Sequence, residues 1–182
     1  KNVVISDNVA NGGMGAMQIT GFDMSSSNPI FEGVTILNNS GGEGEYSGAI
    51  SILQDANLTM VNSIVSGNTP DEILLMHYGL NTISVDYSNI NGGEDAIVLN
   101  SEDCVVNWGD GNIDKDSRFR DAENQDYNLF ASSPCINAGH PDSTDIDGTR
   151  PDMGAYSYLT DNNGSDWYVS TSGSDVSGSG TS

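Results

Sequence analysis

Four aspartates crowd one short stretch: Asp142-Ser143-Thr144-Asp145-Ile146-Asp147-Gly148, with Asp152 close behind. Alternating carboxylates followed by glycine place several oxygens on one tight turn, as a hard cation such as Ca2+ requires. The run lacks the distal bidentate Glu of an EF-hand loop, so that motif is excluded. The same residues also make a plain Asp-rich turn held by side-chain-to-backbone bonds, with Arg150 as a counter-charge in place of an ion. A structural Ca2+ on Asp142, Asp145, Asp147 and Asp152 is the metal site the sequence offers.

Catalytic chemistry is harder to assemble. A lyase acting on a uronic-acid polymer needs a base and a positive environment for the substrate carboxylate. Residues 2 to 114 contain no Lys or Arg, and so acidic a surface repels polyuronate. A glycoside hydrolase needs only two carboxylates at a suitable separation. Asp86, Glu94, Asp95, Glu102 and Asp103 supply carboxylates, but nothing in their spacing selects a pair, and acids at turns are ordinarily solvated. His77 and His140 have no Ser or Cys nucleophile near them in sequence and read as surface or packing residues. Tyr46, Tyr78, Tyr87 and Trp108 are too scattered for a sugar-stacking face. No catalytic or cofactor-binding residue is therefore assigned.

The chain carries 26 acids against 5 Lys and Arg, a formal net charge of −21 over 182 residues. Phosphate binding depends on clustered basic residues, which argues against nucleic acid or an anionic membrane as partner. No stretch approaches the ~20 apolar residues that span a bilayer, and no basic-then-apolar leader is present. Cys104 and Cys135 lack zinc-site spacing. They are read as two buried thiols in preference to a bridge.

The elements that position these residues announce themselves as a repeat. Val4-Ile5-Ser6-Asp7-Asn8, Thr35-Ile36-Leu37-Asn38-Asn39 and Ile64-Val65-Ser66-Gly67-Asn68 share an apolar pair, two polar or small residues, then Asn. Asn89-Ile90-Asn91-Gly92-Gly93 is a degenerate fourth copy, and the spacings at the closing residue are 31, 29 and 25. A second echo runs through Gly15-Ala16-Met17-Gln18-Ile19, Gly48-Ala49-Ile50-Ser51-Ile52, Ile73-Leu74-Leu75-Met76 and Ala96-Ile97-Val98-Leu99. Ile50-Ser51-Ile52 and Ile83-Ser84-Val85-Asp86-Tyr87 alternate with period two, which is the strand pattern. Gly (22) and Asn (20) punctuate too often for a long helix. Units of this length holding two or three short strands fit the coils of a parallel β-helix, in which each coil buries its inward residues by stacking on its neighbours. The recurring Asn tolerates a left-handed corner and can bond the coils above and below as a ladder.

Around Gly109 the pattern changes to an Asp-, Pro- and Gly-rich run. Its parts are Gly111-Asn112-Ile113-Asp114, Phe119, Asp126-Tyr127-Asn128-Leu129, Ser132-Ser133-Pro134-Cys135-Ile136-Asn137-Ala138-Gly139 and Asp145 through Tyr156. This closing segment resembles that of bacterial secreted right-handed parallel β-helix repeat proteins, akin in fold to pectate lyases. Ser117-Arg118 departs from the usual Pro-Leu before Phe119, and His140 stands where Asp is common. The resemblance implies an all-β, right-handed parallel β-helix (solenoid) with an irregular C-terminal capping segment, at an extracellular or bacterial cell-surface location. The expected division is coils over 1–110, the first incomplete, closing segment over 111–160, and linker plus the opening strand of a following module over 161–182.

The functional expectation is a non-catalytic extracellular structural or adhesive module. Its expected partners are further copies of itself or adjacent β-helix modules, engaged through Trp167, Tyr168 and Val169 in head-to-tail filaments. The alternative is a fragment of a polysaccharide-active enzyme or a carbohydrate-binding module, with polysaccharide as the partner.

Overall fold

The computed structural model describes residues 1–21, 26–42 and 47–159. Twelve short strands wind around a common axis: β1 (Val3–Ser6), β2 (Met17–Thr20), β3 (Ile30–Glu32), β4 (Val34–Leu37), β5 (Ile50–Leu53), β6 (Asn57–Val61), β7 (Ile64–Ser66), β8 (Ile73–Leu75), β9 (Thr82–Asp86), β10 (Asn89–Ile90), β11 (Ile97–Leu99) and β12 (Val105–Trp108). Every third strand stacks on the last. The sheets are β1-β4-β7-β10, β2-β5-β8-β11 and β3-β6-β9-β12, parallel throughout. The chain is therefore an all-β parallel solenoid. Among the described residues it has no α-helix, only the 3₁₀ turns Gly93–Ala96 and Ala122–Asn124.

The register is the repeat read from sequence. Val4 pairs with Thr35, Thr35 with Ile64, and Ile64 with Asn89. The second echo aligns the same way, with Met17 beside Ile50, Ile50 beside Ile73 and Ile73 beside Ile97. The unit has three strands, however, where the echoes show two. Phe31, Met60 and Val85 mark a third series, and Val85 pairs with Trp108.

Strands this short end because the corners demand it. The residues that precede the first sheet's strands, Asn2, Gly33, Asn62 and Tyr87, all have positive φ. So do Asp7, Asn38, Gly67 and Gly92 at the next corner. Gly and Asn adopt the left-handed region at least cost, which explains their abundance. Between corners, alternate side chains point inward. Ile36, Ile50, Ile52, Leu58, Met60 and Ile83 are among the largest fully buried ones. Each contributes roughly 1.5–3 kcal/mol by leaving water. Cys104 sits at the corner just before β12, its thiol 3.4 Å from the Met76 carbonyl of the coil below.

Beyond Ile113, which bridges to Asn89, the chain leaves the coils. It forms an antiparallel hairpin of β13 (Phe119–Asp121) and β14 (Asp126–Leu129). The irregular closing segment then covers the outer face of the first sheet. Outward-pointing Ile64 packs with Leu129, Cys135 and Met153 in a second core. Thr35 Oγ1 accepts the Ala155 N–H at 2.9 Å, and the Asn62 carbonyl accepts the Gly154 N–H at 2.7 Å. Tyr127 Oη donates to Asp7 Oδ2 at 2.7 Å, reaching the first coil. Cys104 and Cys135 are both free and buried. The expected strand at Trp167, Tyr168 and Val169 lies outside the described residues, as does Tyr46.

Candidate functional site

The most organised polar feature is a ladder of amides inside the corner after the first sheet. Asn8 donates its backbone N–H (3.0 Å) and Nδ2 (2.8 Å) to Asn39 Oδ1. Asn39 does the same to Asn68 Oδ1, at 2.9 and 2.8 Å. The remaining amide hydrogens go to backbone carbonyls, Asn39 Nδ2 to Ile5 O and Asn68 Nδ2 to Ile36 O. Asn39 and Asn68 are 1% and 5% exposed, so each bond operates in a medium where losing it is costly. At the opposite corner a second ladder runs from Val34 N–H to Ser63 Oγ, Ser63 N–H to Ser88 Oγ and Ser88 N–H to Asn112 Oδ1. Among the described residues, no buried side-chain nitrogen or oxygen lacks a partner.

The ladder ends on a residue that the sequence reading passed over. Asn68 gives its backbone N–H and Nδ2 to the buried carboxylate of Glu72, and burial is the largest influence on that carboxyl, pushing its pKa up. The signal was an acid four residues after the last ladder Asn, followed by a coil that has glycine where that Asn would recur.

The acids considered for hydrolysis fall at separate stations. Asp86 ends β9 on the third sheet, where its Oδ1 accepts the Asp110 N–H at 3.1 Å. Glu94 and Asp95 sit exposed on the 3₁₀ turn before β11, and Glu102 and Asp103 on the turn after it. Among the described residues, Tyr78, Tyr87 and Trp108 share no platform. Tyr78 lies against His77, with ring centroids 3.8 Å apart, and Trp108 packs on the inner core. Tyr87 is held edge-on by His140 at 4.8 Å and covered by Arg150, 5.4 Å from the ring centre.

The aspartate loop forms one wall of a cleft of about 360 Å3, opposite Lys1, Asn2, Glu32 and Gly33. The carboxylates of Asp145, Asp147 and Asp152 face backbone N–H groups, some within the loop and some on Asn137 and Tyr158. Asp147 Oδ1 accepts the Thr149 N–H at 3.0 Å and its hydroxyl at 2.7 Å. Asp145 Oδ2 accepts the Asp152 N–H at 3.1 Å. Asp152, 5% exposed, accepts from Asn137 N at 2.7 Å and from the Tyr158 N–H. Burial first, then the charges of Asp145 and Asp147, hold the Asp152 carboxyl above its ordinary range. Asp142 stands apart on the exposed shoulder, its N–H on His140 Nδ1. Arg150 donates to the carbonyls of Gly139 and Ala138. Among the described residues, no group of three or more His, Cys, Asp or Glu is placed to hold a metal ion.

Carboxylates already taken up by backbone amides predict a melting temperature that is the same in EDTA and in excess Ca2+. A Ca2+-dependent rise that Asp147→Asn abolishes would show instead that the four aspartates hold the ion.

Together these features define a parallel β-solenoid in which buried asparagine and serine side chains bond neighbouring turns of the same chain. No protein-family model matches it, and neither does any curated protein or solved structure.

Proposed function

We propose that the chain is a non-catalytic structural or adhesive module of an extracellular protein, related to bacterial secreted right-handed parallel β-helix repeat proteins. The observation that carries this reading is the use made of its polar side chains. The buried amides and hydroxyls of the coils bond the next coil, and the acids considered for catalysis stand at separate corners. Such a molecule gains length and stiffness by adding coils, as solenoids do.

The reading extends to partners. Among the described residues β1, β2 and β3 each have one paired side and one open side, with Val3 on β1 45% exposed. Open parallel edges accept further strands, whether from the same protein or from another copy. Trp167, Tyr168 and Val169 are the proposed donors of such a strand between copies, and a contact of this kind that does not close on itself propagates into filaments.

Two measurements test the proposal. Incubation with a panel of neutral and acidic polysaccharides is expected to yield no cleavage product, and turnover would replace the structural reading with an enzymatic one. Light scattering on the whole chain is expected to show mass rising with concentration, and deletion of residues 164–182 to abolish the rise. A monomer at every concentration would remove the assembly part.

A further inference from the structure

The amide ladder has one polarity. Each asparagine gives its N–H and Nδ2 to the Oδ1 of the asparagine in the following coil. The fourth coil cannot continue it. Val65 pairs with Ile90, so the position matching Asn68 is Gly93. Glu72 fills the place from within the third coil. Its Oε2 accepts both the Asn68 N–H, at 3.2 Å, and Nδ2, at 2.6 Å, reproducing the two-pronged acceptor of an Asn Oδ1. Its Oε1 reaches toward the fourth coil, where Asn91 Nδ2 lies 3.4 Å away. The residue is 6% exposed.

Both Asn68 donors thus go to Oε2, while Oε1 faces the more distant Asn91 amide. A buried carboxylate is costly unless well bonded. The groups facing this one are Asn68 and the Gly67 N–H from its own coil and Asn91 from the next. Among the described residues, no charged side chain acts on it. Burial outweighs these hydrogen bonds and raises the pKa above the usual 4.5. A proton on Oε1 removes the buried charge and displaces the long Asn91 contact, while both Asn68 bonds to Oε2 stay in place. Asn91 is exposed, so its amide can turn over and present its oxygen to the new O–H.

We propose that Glu72 is a proton-operated clasp that terminates the ladder and grips the third coil to the fourth more firmly in its protonated form. The sign follows from linkage. With the folded-state pKa raised, the folded chain holds the proton over a window that opens near 4.5, where the unfolded chain has already lost it. Stability contributed by this group is present below that window and is lost as pH rises through it.

Glu72→Gln supplies the test, because its amide keeps an acceptor for Asn68 and a donor for Asn91 without a titratable proton. Melting curves of the whole chain and the variant, taken across the acid-to-neutral range, should diverge as pH rises. The parent should lose stability relative to Glu72→Gln and then run parallel to it. A difference constant across pH would overturn the proposal. Should the variant fail to fold, a carbon-13 titration of the Glu72 carboxyl in the parent decides the matter. A midpoint above 4.5, moving together with the side-chain amides of Asn68 and Asn91, is expected. A midpoint at or below it would overturn the clasp.

Discussion

Asn68→Ala should be among the most destabilising single substitutions in this chain, lowering stability by about 4 kcal/mol through buried groups left without partners. The side chain accepts two bonds from Asn39 and donates to the carbonyls of Ile36 and Ser66 and to Glu72. Alanine leaves the Ile36 carbonyl and the Asn39 amide without that partner inside the stack, and takes from the Glu72 carboxylate its shortest bond. The expected fall in melting temperature is roughly 10 °C for a domain of this size. Asn8→Ala is the control. Asn8 belongs to the same ladder but is exposed at its first rung, and water replaces what is lost, so the cost should stay near 1 kcal/mol. Equal, small effects at both positions would mean that the ladder contributes little to holding the coils.

Met153→Ala is expected to loosen the closing segment from the coils at a cost of about 3 kcal/mol, the usual range for emptying a fully buried site. Met153 is 0% exposed and meets Ile64, Leu129 and Cys135 on the outer face of the first sheet. The room cannot be refilled by a shift of the adjoining chain. A side chain on neighbouring Gly154 would come within 2.8 Å of Ile64 Cδ1 and 2.9 Å of Thr35 Oγ1, so the backbone already lies as close as it can. Hydrogen exchange should therefore accelerate first at the bonds that tie this segment down, the amides of Gly154 and Ala155 among them. Ile146→Ala, at a position 90% exposed on the aspartate loop, should change stability by less than ~0.5 kcal/mol. Matching losses at Met153 and Ile146 would show that the second core is not packed as described.

The coil register was legible because inward positions of the first two sheets repeat in kind. Ile5, Ile36, Val65 and Ile90 are β-branched residues at one station, each set a fixed distance before its corner. The third series escaped notice because Phe31, Met60, Val85 and Trp108 fill one inward row with unlike shapes. Their outward neighbours Ile30, Thr59, Ser84 and Asn107 share little either. The second core has a sign in the sequence as well. Val34-Thr35-Ile36-Leu37 is buried at all four positions, and apolar residues on both faces of a strand require cover on both faces. Glu72 was passed over because an acid beside a corner is ordinarily solvated. Only the missing Asn at Gly93 distinguishes it. The aspartate loop was visible as a cluster, but sequence does not reveal which donors its carboxylates face, and here many are backbone amides.

Amides hold coil to coil, and the side-chain NH2 groups of Asn39 and Asn68 report on that directly. In a nitrogen-15 spectrum both should appear as dispersed pairs whose hydrogens exchange with solvent far more slowly than those of exposed Asn11 or Asn107. Exchange of Asn39 and Asn68 at the rate of those exposed amides would contradict the ladder, and with it the reading of the coils as a structure built for stacking.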